Sequence, residues 1–152
     1  MPKAMHIRQA YLQIEGAAVR IRIIDGLRAI LEIKASEDFE SSPMPIPLDQ
    51  ALWLIEKERK GSVIEKNRHR FRGPEGLHWD VDVYLGDNKP LIVGEIETPT
   101  KGFKLDRKSF QPWVGEEITD DKRLKNKALA ILPFGLWKSK DSEAVRRIMH
   151  CA

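Results

Sequence analysis

The sequence has very little cysteine and no long apolar run. Its single cysteine, Cys151, lies next to the C-terminus, so no internal disulfide can form. No apolar stretch approaches the roughly 18 residues that a membrane-spanning helix requires. The N-terminal residues, MPKAMHIRQAYLQ, lack the apolar core of a secretory signal. We therefore expect a cytoplasmic protein that does not associate with membranes.

Common catalytic and nucleotide-binding motifs are also absent. The chain has no P-loop, no Gly-x-Gly-x-x-Gly and no nucleophile elbow. Its four histidines lack the spacing of zinc ligands and have no cysteine partners. Aromatic residues interleaved with arginine, which single-stranded nucleic acid binding uses, are not evident. Neither zinc nor nucleic acid is an expected partner.

The size and charge of the chain allow one globular domain. The 152 residues are 41% apolar and 32% charged, which is sufficient for a single core over residues 1–152. The formal net charge is only +3. That mild excess is compatible with an anionic partner but does not by itself indicate one.

Residue periodicity predicts a mainly β protein of the α+β class. Alternating apolar and polar residues predict strands near 7–14, 18–24, 28–35, 62–72, 77–85 and 91–98. Leu48, Leu52 and Ile55 are spaced as on one helix face, which predicts a short amphipathic helix that stops at Gly61. From Asp106 onward the pattern is helical or irregular, with a helix expected around 139–149.

The first hairpin allows its register to be predicted. A two-residue turn at Asp25-Gly26 would place the apolar rows of the two strands on opposite faces. A three-residue connection, Asp25-Gly26-Leu27, pairs Ile24 with Arg28 and unites both apolar rows. Because a buried face sets the register, we favour the three-residue loop. It also places four charged residues on one surface: Arg20, Arg22, Glu32 and Lys34.

Like charges recur two residues apart in the predicted strands, where side chains i and i+2 share a face. The pairs are Arg20/Arg22, Lys66/Arg68, Asp80/Asp82 and Glu95/Glu97. Arginine and lysine in this arrangement suit a polyphosphate, and neighbouring carboxylates suit Mg²⁺ or Mn²⁺. This predicts an antiparallel barrel with a polar interior. The alternative is an ordinary half-exposed sheet whose charges pair across strands in solvent.

Seven segments in order resemble the CYTH domain, or triphosphate tunnel metalloenzyme, family of short bacterial members. They are Ile7–Leu12 (IRQAYL), Val19–Arg22 (VRIR), Leu31–Lys34 (LEIK), Ile64–Arg68 (IEKNR), Trp79–Val83 (WDVDV), Val93–Glu97 (VGEIE) and Pro112–Thr119 (PWVGEEIT). The resemblance covers about residues 7–137, which leaves 138–152 as a tail. It implies an antiparallel barrel that binds triphosphates in a charged tunnel.

The resemblance implies roles for individual residues. Arg20, Arg22, Lys66 and Arg68 match residues that hold phosphate oxygens. Lys34 and Tyr11 match the pair that orients or activates the attacking water. Asp82, Glu95 and Glu97 match carboxylates that bind or position Mg²⁺ or Mn²⁺. Asp80 has no such counterpart and is expected to be a bystander.

The sequence also departs from the family pattern. The hallmark Glu-x-Glu-x-Lys strand is missing, and Ser41, Pro43 and Pro45 stand where a second acidic strand is expected. Because proline cannot donate to a sheet ladder, that strand is expected to be broken or at an edge. The barrel should then be incomplete, with an open wall. Either the coding sequence begins upstream or the chain is a degenerate member.

Two functions follow as alternatives. The first is metal-dependent hydrolysis of inorganic triphosphate or a nucleoside triphosphate. The second is a non-catalytic module that binds polyphosphate or nucleotide. Adenylate cyclase activity also occurs in the family, but no residue here selects it. A homodimer is compatible with the sequence, which specifies neither the preferred triphosphate nor the metal.

Overall fold

The structure is a computed structural model that describes residues 3–36, 39 and 41–138. The helix predicted around 139–149 lies outside the described residues, as does Cys151. In the described part, no helix has both the length and the apolar character needed to cross a membrane.

Seven antiparallel strands form one open sheet in the described part of the chain. They are β1 (Met5–Gln13), β2 (Ala18–Ile24), β3 (Arg28–Lys34), β4 (Met44–Ile46), β5 (Lys60–Arg72), β6 (His78–Tyr84) and β7 (Ile92–Ile96). Their order across the sheet is β4-β3-β2-β1-β5-β6-β7. The two outer strands, β4 and β7, have one neighbour each among the described residues, so the sheet that these residues form is not closed into a barrel. The predictions of an antiparallel mainly β fold and an open wall are confirmed.

The strand expected to be broken is the short β4. It has only three residues, includes Pro45, and lies at the edge of the sheet beside β3. Proline is tolerated at an edge because no further strand requires its missing N–H group. The proline-rich segment therefore ends the sheet on this side.

The first hairpin has the predicted three-residue loop. Ile24 pairs with Arg28, and the Leu27 N–H donates to the Ile24 carbonyl at 3.0 Å. Asp25 and Gly26 both have positive φ, at 52° and 66°, which gives the loop its tight reversal. The register unites the apolar rows on one face of the sheet and the charged rows on the other.

Helix α1 (Leu48–Glu58) packs on the apolar face of β1 to β3. Its predicted stop at Gly61 is wrong, because Arg59 is already extended and Gly61 belongs to β5. Gly61 has φ +70°, and a Cβ there would lie 2.3 Å from the Ala130 carbonyl oxygen. The glycine therefore allows β5 to approach α2 (Asn126–Ile131), a contact between segments far apart in sequence.

Within the described residues, three apolar clusters support the sheet. One cluster lies beneath α1, and a second lies around Trp79 of β6 on the same face of the sheet. The third lies on the opposite face, where Tyr11, Ile64 and Tyr84 pack against Leu124 and Phe134 of the irregular C-terminal part. This third cluster closes one end of the face that carries the predicted site residues. The predicted helical or irregular character after Asp106 is confirmed by α2 and short 3₁₀ turns.

Candidate functional site

The strand registers bring most of the predicted site residues onto one face. Tyr11 pairs with Arg20, Arg68 pairs with Asp82, and side chains paired directly across antiparallel strands share a face. The same face carries their neighbours at i±2. We call this surface the charged face and define it by Tyr11, Arg20, Arg22, Glu32, Lys34, Lys66, Arg68, Asp80, Asp82 and Glu95. Glu97 is exposed just beyond the end of β7.

The centre of the charged face is a buried ion-pair cluster. The Lys66 Nζ donates to Asp82 Oδ2 at 2.5 Å, and neither side chain is exposed. Arg68 donates from Nε to Oδ1 at 2.7 Å and from Nη2 to Oδ2 at 2.8 Å. Burial alone would raise the pKa of Asp82, but the Arg68 hydrogen bonds and the Lys66 charge hold it below its ordinary value. Burial lowers the pKa of Lys66, and the Asp82 charge opposes that shift.

Arg68 links this cluster to two further carboxylates. Its guanidinium donates to Asp80 at 3.2 Å and to Glu95 at 3.0 Å. Asp80 also accepts two hydrogen bonds from Arg70, at 2.7 and 2.9 Å. Asp80 thus holds two arginines in place, and the expectation that it takes no direct part in the chemistry stays a prediction.

The other side of the charged face carries Arg20 and Arg22. The Arg20 Nε donates to Glu32, while the Arg22 Nε donates to Gln9 Oε1 at 3.1 Å. The nearest Arg22–Glu32 approach is a loose 4.0 Å. Burial and then repulsion from Arg20 lower the pKa of Arg22, the Glu32 charge opposes this shift, and Arg68 adds a smaller repulsion. Arg22 thus lies near two positive charges, which the Glu32 carboxylate offsets only in part.

The predicted water-orienting pair lies on β1 and β3. Tyr11 is buried, and its pKa is raised because desolvation outweighs the neighbouring Arg20 and Arg22 charges. Tyr11 is therefore a neutral phenol at physiological pH, able to donate a hydrogen bond. Lys34 is exposed and pairs with Ala18, two positions along β2 from the Tyr11 partner Arg20.

The carboxylates fit a metal ion poorly as they are placed. Within the described residues, no three His, Cys, Asp or Glu side chains come together as metal ligands. Both Asp82 oxygens already accept from Lys66 and Arg68, and this side chain is completely buried. Divalent hard cations need several oxygen ligands. Asp82 therefore serves here as the internal counter-ion of two cations, and the metal role of Glu95 and Glu97 stays a prediction.

The charged pairs fit neither a barrel with a polar interior nor an ordinary half-exposed sheet completely. They do pair across strands, as in an ordinary sheet, for example Arg68 with Asp82 and Arg70 with Asp80. Their central members, however, are buried rather than solvated. Removing charges from water is expensive, so a sheet needing only solubility would not bury them.

Sequence reasoning missed Gln9 as a member of this site. It is completely buried and accepts from Arg22. Its only signal in the sequence is its position two residues before Tyr11 on a strand, which places both on the same face.

Fold and site together define a class: an open antiparallel sheet with a half-buried row of arginine, lysine and carboxylate, suited to a highly charged ligand. No family model matches the chain. It is 30% identical over 142 residues to an inorganic triphosphatase of Acetivibrio thermocellus, covering 91% of this chain and 88% of that protein. It is also 30% identical over 135 residues to an inorganic triphosphatase of Nitrosomonas europaea, covering 84% and 85%. The crystal structure of the inorganic triphosphatase NE1496 is similar, with TM-score 0.60, 31% identity, and coverage of 85% of this chain and 86% of that one. The chain belongs to the family of these inorganic triphosphatases.

Proposed function

We propose that this protein binds a triphosphate on the charged face and hydrolyses a terminal phosphoanhydride bond. The observation that carries the proposal is Arg22, a guanidinium with 17% of its side chain exposed and two arginines nearby. A multiply charged anion placed there would relieve repulsion that the Glu32 carboxylate, 4.0 Å away, relieves only in part. The names of the related proteins support a triphosphate as that anion.

The two sides of the charged face would share the phosphate oxygens. Guanidinium groups match phosphate oxygens with two parallel hydrogen bonds, so Arg20 and Arg22 suit one phosphoryl group. Arg68, which is partly exposed, would meet the ligand from the opposite side, while the buried Lys66 and Asp82 would keep Arg68 in place and add charge from behind it. Phosphoryl transfer depends mainly on such positioning and charge stabilisation, with little covalent chemistry required of the protein.

Tyr11 and Lys34 would act on the attacking water. Because the raised pKa of Tyr11 keeps it protonated, it would orient a water or a phosphoryl oxygen by donating. Lys34 would add positive charge at the end of β3. We expect Mg²⁺ or Mn²⁺ to be bound together with the substrate, because the described carboxylates do not form a metal site alone.

The closer assignment to the CYTH family and a cytoplasmic location are part of this proposal.

Phosphate release tests the proposal. Purified protein is incubated with inorganic triphosphate or a nucleoside triphosphate, with Mg²⁺, with Mn²⁺ and with a chelator. We expect release above the background of Lys34→Ala with at least one metal and one substrate. The matched control is Lys57→Ala, an exposed lysine on α1, which should behave as the wild type. Equal release by wild type and Lys34→Ala under every condition would refute the hydrolase.

A non-catalytic triphosphate-binding module is the second candidate. One observation supports this second candidate. Asp82 and Glu95 already form ion pairs with cations of the charged face, which limits their use as metal ligands. This candidate predicts calorimetric binding of triphosphate in the presence of chelator, without turnover. Binding should be lost in Arg20→Ala/Arg22→Ala. Unchanged binding in that double variant would exclude the charged face as the site of either function.

A further inference from the structure

Gln9 combines complete burial with an unsatisfied hydrogen-bond donor. Its Oε1 accepts from the Arg22 Nε at 3.1 Å, and among the residues that the structure describes its Nε2 has no hydrogen-bond partner. The Arg22 Nε can only donate, which fixes the amide with Oε1 towards Arg22 and Nε2 away from it. Leaving a buried donor unsatisfied is costly, so packing alone would be better served by an apolar side chain of this length.

The Gln9 amide also sets the orientation of the Arg22 guanidinium. Two strands meet here, since Gln9 on β1 pairs directly with Arg22 on β2. A hydrogen bond to Nε fixes the plane of the guanidinium and leaves its outer nitrogens for other partners. Glu32 Oε1 lies 4.0 Å from one of those nitrogens, Nη1. A carboxylate in place of the amide would hold Arg22 equally well but would neutralise it.

We propose that Gln9 is a positioning residue for the bound anion: it orients Arg22 towards a phosphoryl oxygen without cancelling its charge. This inference rests on the proposed function, because the anion in question is the triphosphate. Gln9 is not exposed in the free protein, so its effect on the ligand passes through Arg22. The uncharged side chain is what distinguishes this position from Glu32, which cancels the charge of Arg20.

Gln9→Met separates positioning from folding. The variant removes both the acceptor for Arg22 and the unsatisfied donor, so the two effects on stability should nearly cancel. We expect an unfolding temperature close to that of the wild type and a Kd for inorganic triphosphate at least about tenfold higher. If the protein hydrolyses triphosphate, KM should rise more than kcat falls. Gln50→Met, at an exposed position of α1 on the other side of the sheet, should bind as the wild type.

A second background tests whether Gln9 acts through Arg22. Arg22→Lys keeps the positive charge but removes the Nε–H group whose hydrogen bond Gln9 accepts. In that background Gln9→Met should cause no further loss of binding, because coupled residues are not additive. An equal loss in both backgrounds would overturn the proposal, as would wild-type binding by Gln9→Met.

Gln9→Glu keeps the experiment decisive if the methionine variant does not fold. It retains an acceptor for Arg22 at the same length and adds the neutralising charge. We expect it to fold and to bind triphosphate more than tenfold more weakly than the wild type. Unchanged binding by Gln9→Glu would overturn this inference, because neutralising Arg22 would then not affect the anion, and would leave the proposed function standing. Absence of triphosphate binding by the wild type would overturn the proposed function and this inference with it.

Discussion

Removal of the Asp82 charge should cause a large loss of stability. In Asp82→Asn the Lys66 ammonium stays fully buried without its counter-ion, and Arg68 loses two charge-assisted hydrogen bonds. Breaking a buried ion pair by removing one partner costs about 3–5 kcal/mol. For a domain of this size that corresponds to a fall of roughly 6–20 °C in unfolding temperature. Urea unfolding followed by circular dichroism measures the same change at constant temperature.

Two further variants show whether the loss of stability in Asp82→Asn comes from the burial of its ion pair. Glu56→Gln removes a carboxylate from the exposed pair with Lys57, whose Nζ–Oε1 distance is 3.0 Å. An exposed pair is worth only about 0–1 kcal/mol, so this variant should unfold almost as the wild type does. The double variant Lys66→Met/Asp82→Leu removes the completely buried pair and should recover part of the stability that Asp82→Asn loses, because Arg68 keeps Asp80 and Glu95 as partners. A loss below about 1 kcal/mol in Asp82→Asn would refute the buried counter-ion.

Three further changes have expected outcomes of different kinds. Tyr11→Phe should slow triphosphate hydrolysis about tenfold or more. The variant should not move either limb of the pH–rate profile below pH 10, because burial raises the pKa of Tyr11 above that value and keeps the phenol protonated. A shifted alkaline limb would contradict this. Glu32→Gln should tighten triphosphate binding several-fold, measured by calorimetry, while lowering stability by about 1–3 kcal/mol, since it frees Arg20; weaker binding would contradict it. Gly61→Ala should lower the free energy of unfolding by at least about 1 kcal/mol more than Gly26→Ala, which has a similar φ but open space around its Cβ; equal losses in urea unfolding would contradict the close approach.

The strands and the first hairpin were predictable from local patterns. Alternation located six strands, and the need to unite two apolar rows selected the three-residue loop at Asp25-Gly26-Leu27. The edge position of β4 followed from Pro45, because a missing N–H group is a local property. These features depend on residues near one another in sequence.

The features that were missed depend on distant contacts. Gly61 reads locally as a helix stop, yet it is Ala130, sixty-nine positions later, that leaves no room for a Cβ there. Asp80 and Asp82 read as a doubled charge, but only the register of β5 against β6 shows that they neutralise Arg68. The role of Gln9 depends on which side chain of β2 it faces. Periodicity predicts the face on which a residue lies but not the partner that it meets there.

Phosphate release from inorganic triphosphate by wild type and Arg22→Ala, side by side, tests the central claim most directly. Loss of a guanidinium that contacts the transferred group should reduce kcat/KM at least about a hundredfold. An unfolding scan of both proteins confirms that the variant is folded. The account predicts turnover by the wild type and near-background release by Arg22→Ala. Equal turnover by the two proteins would show that triphosphate does not react on the charged face.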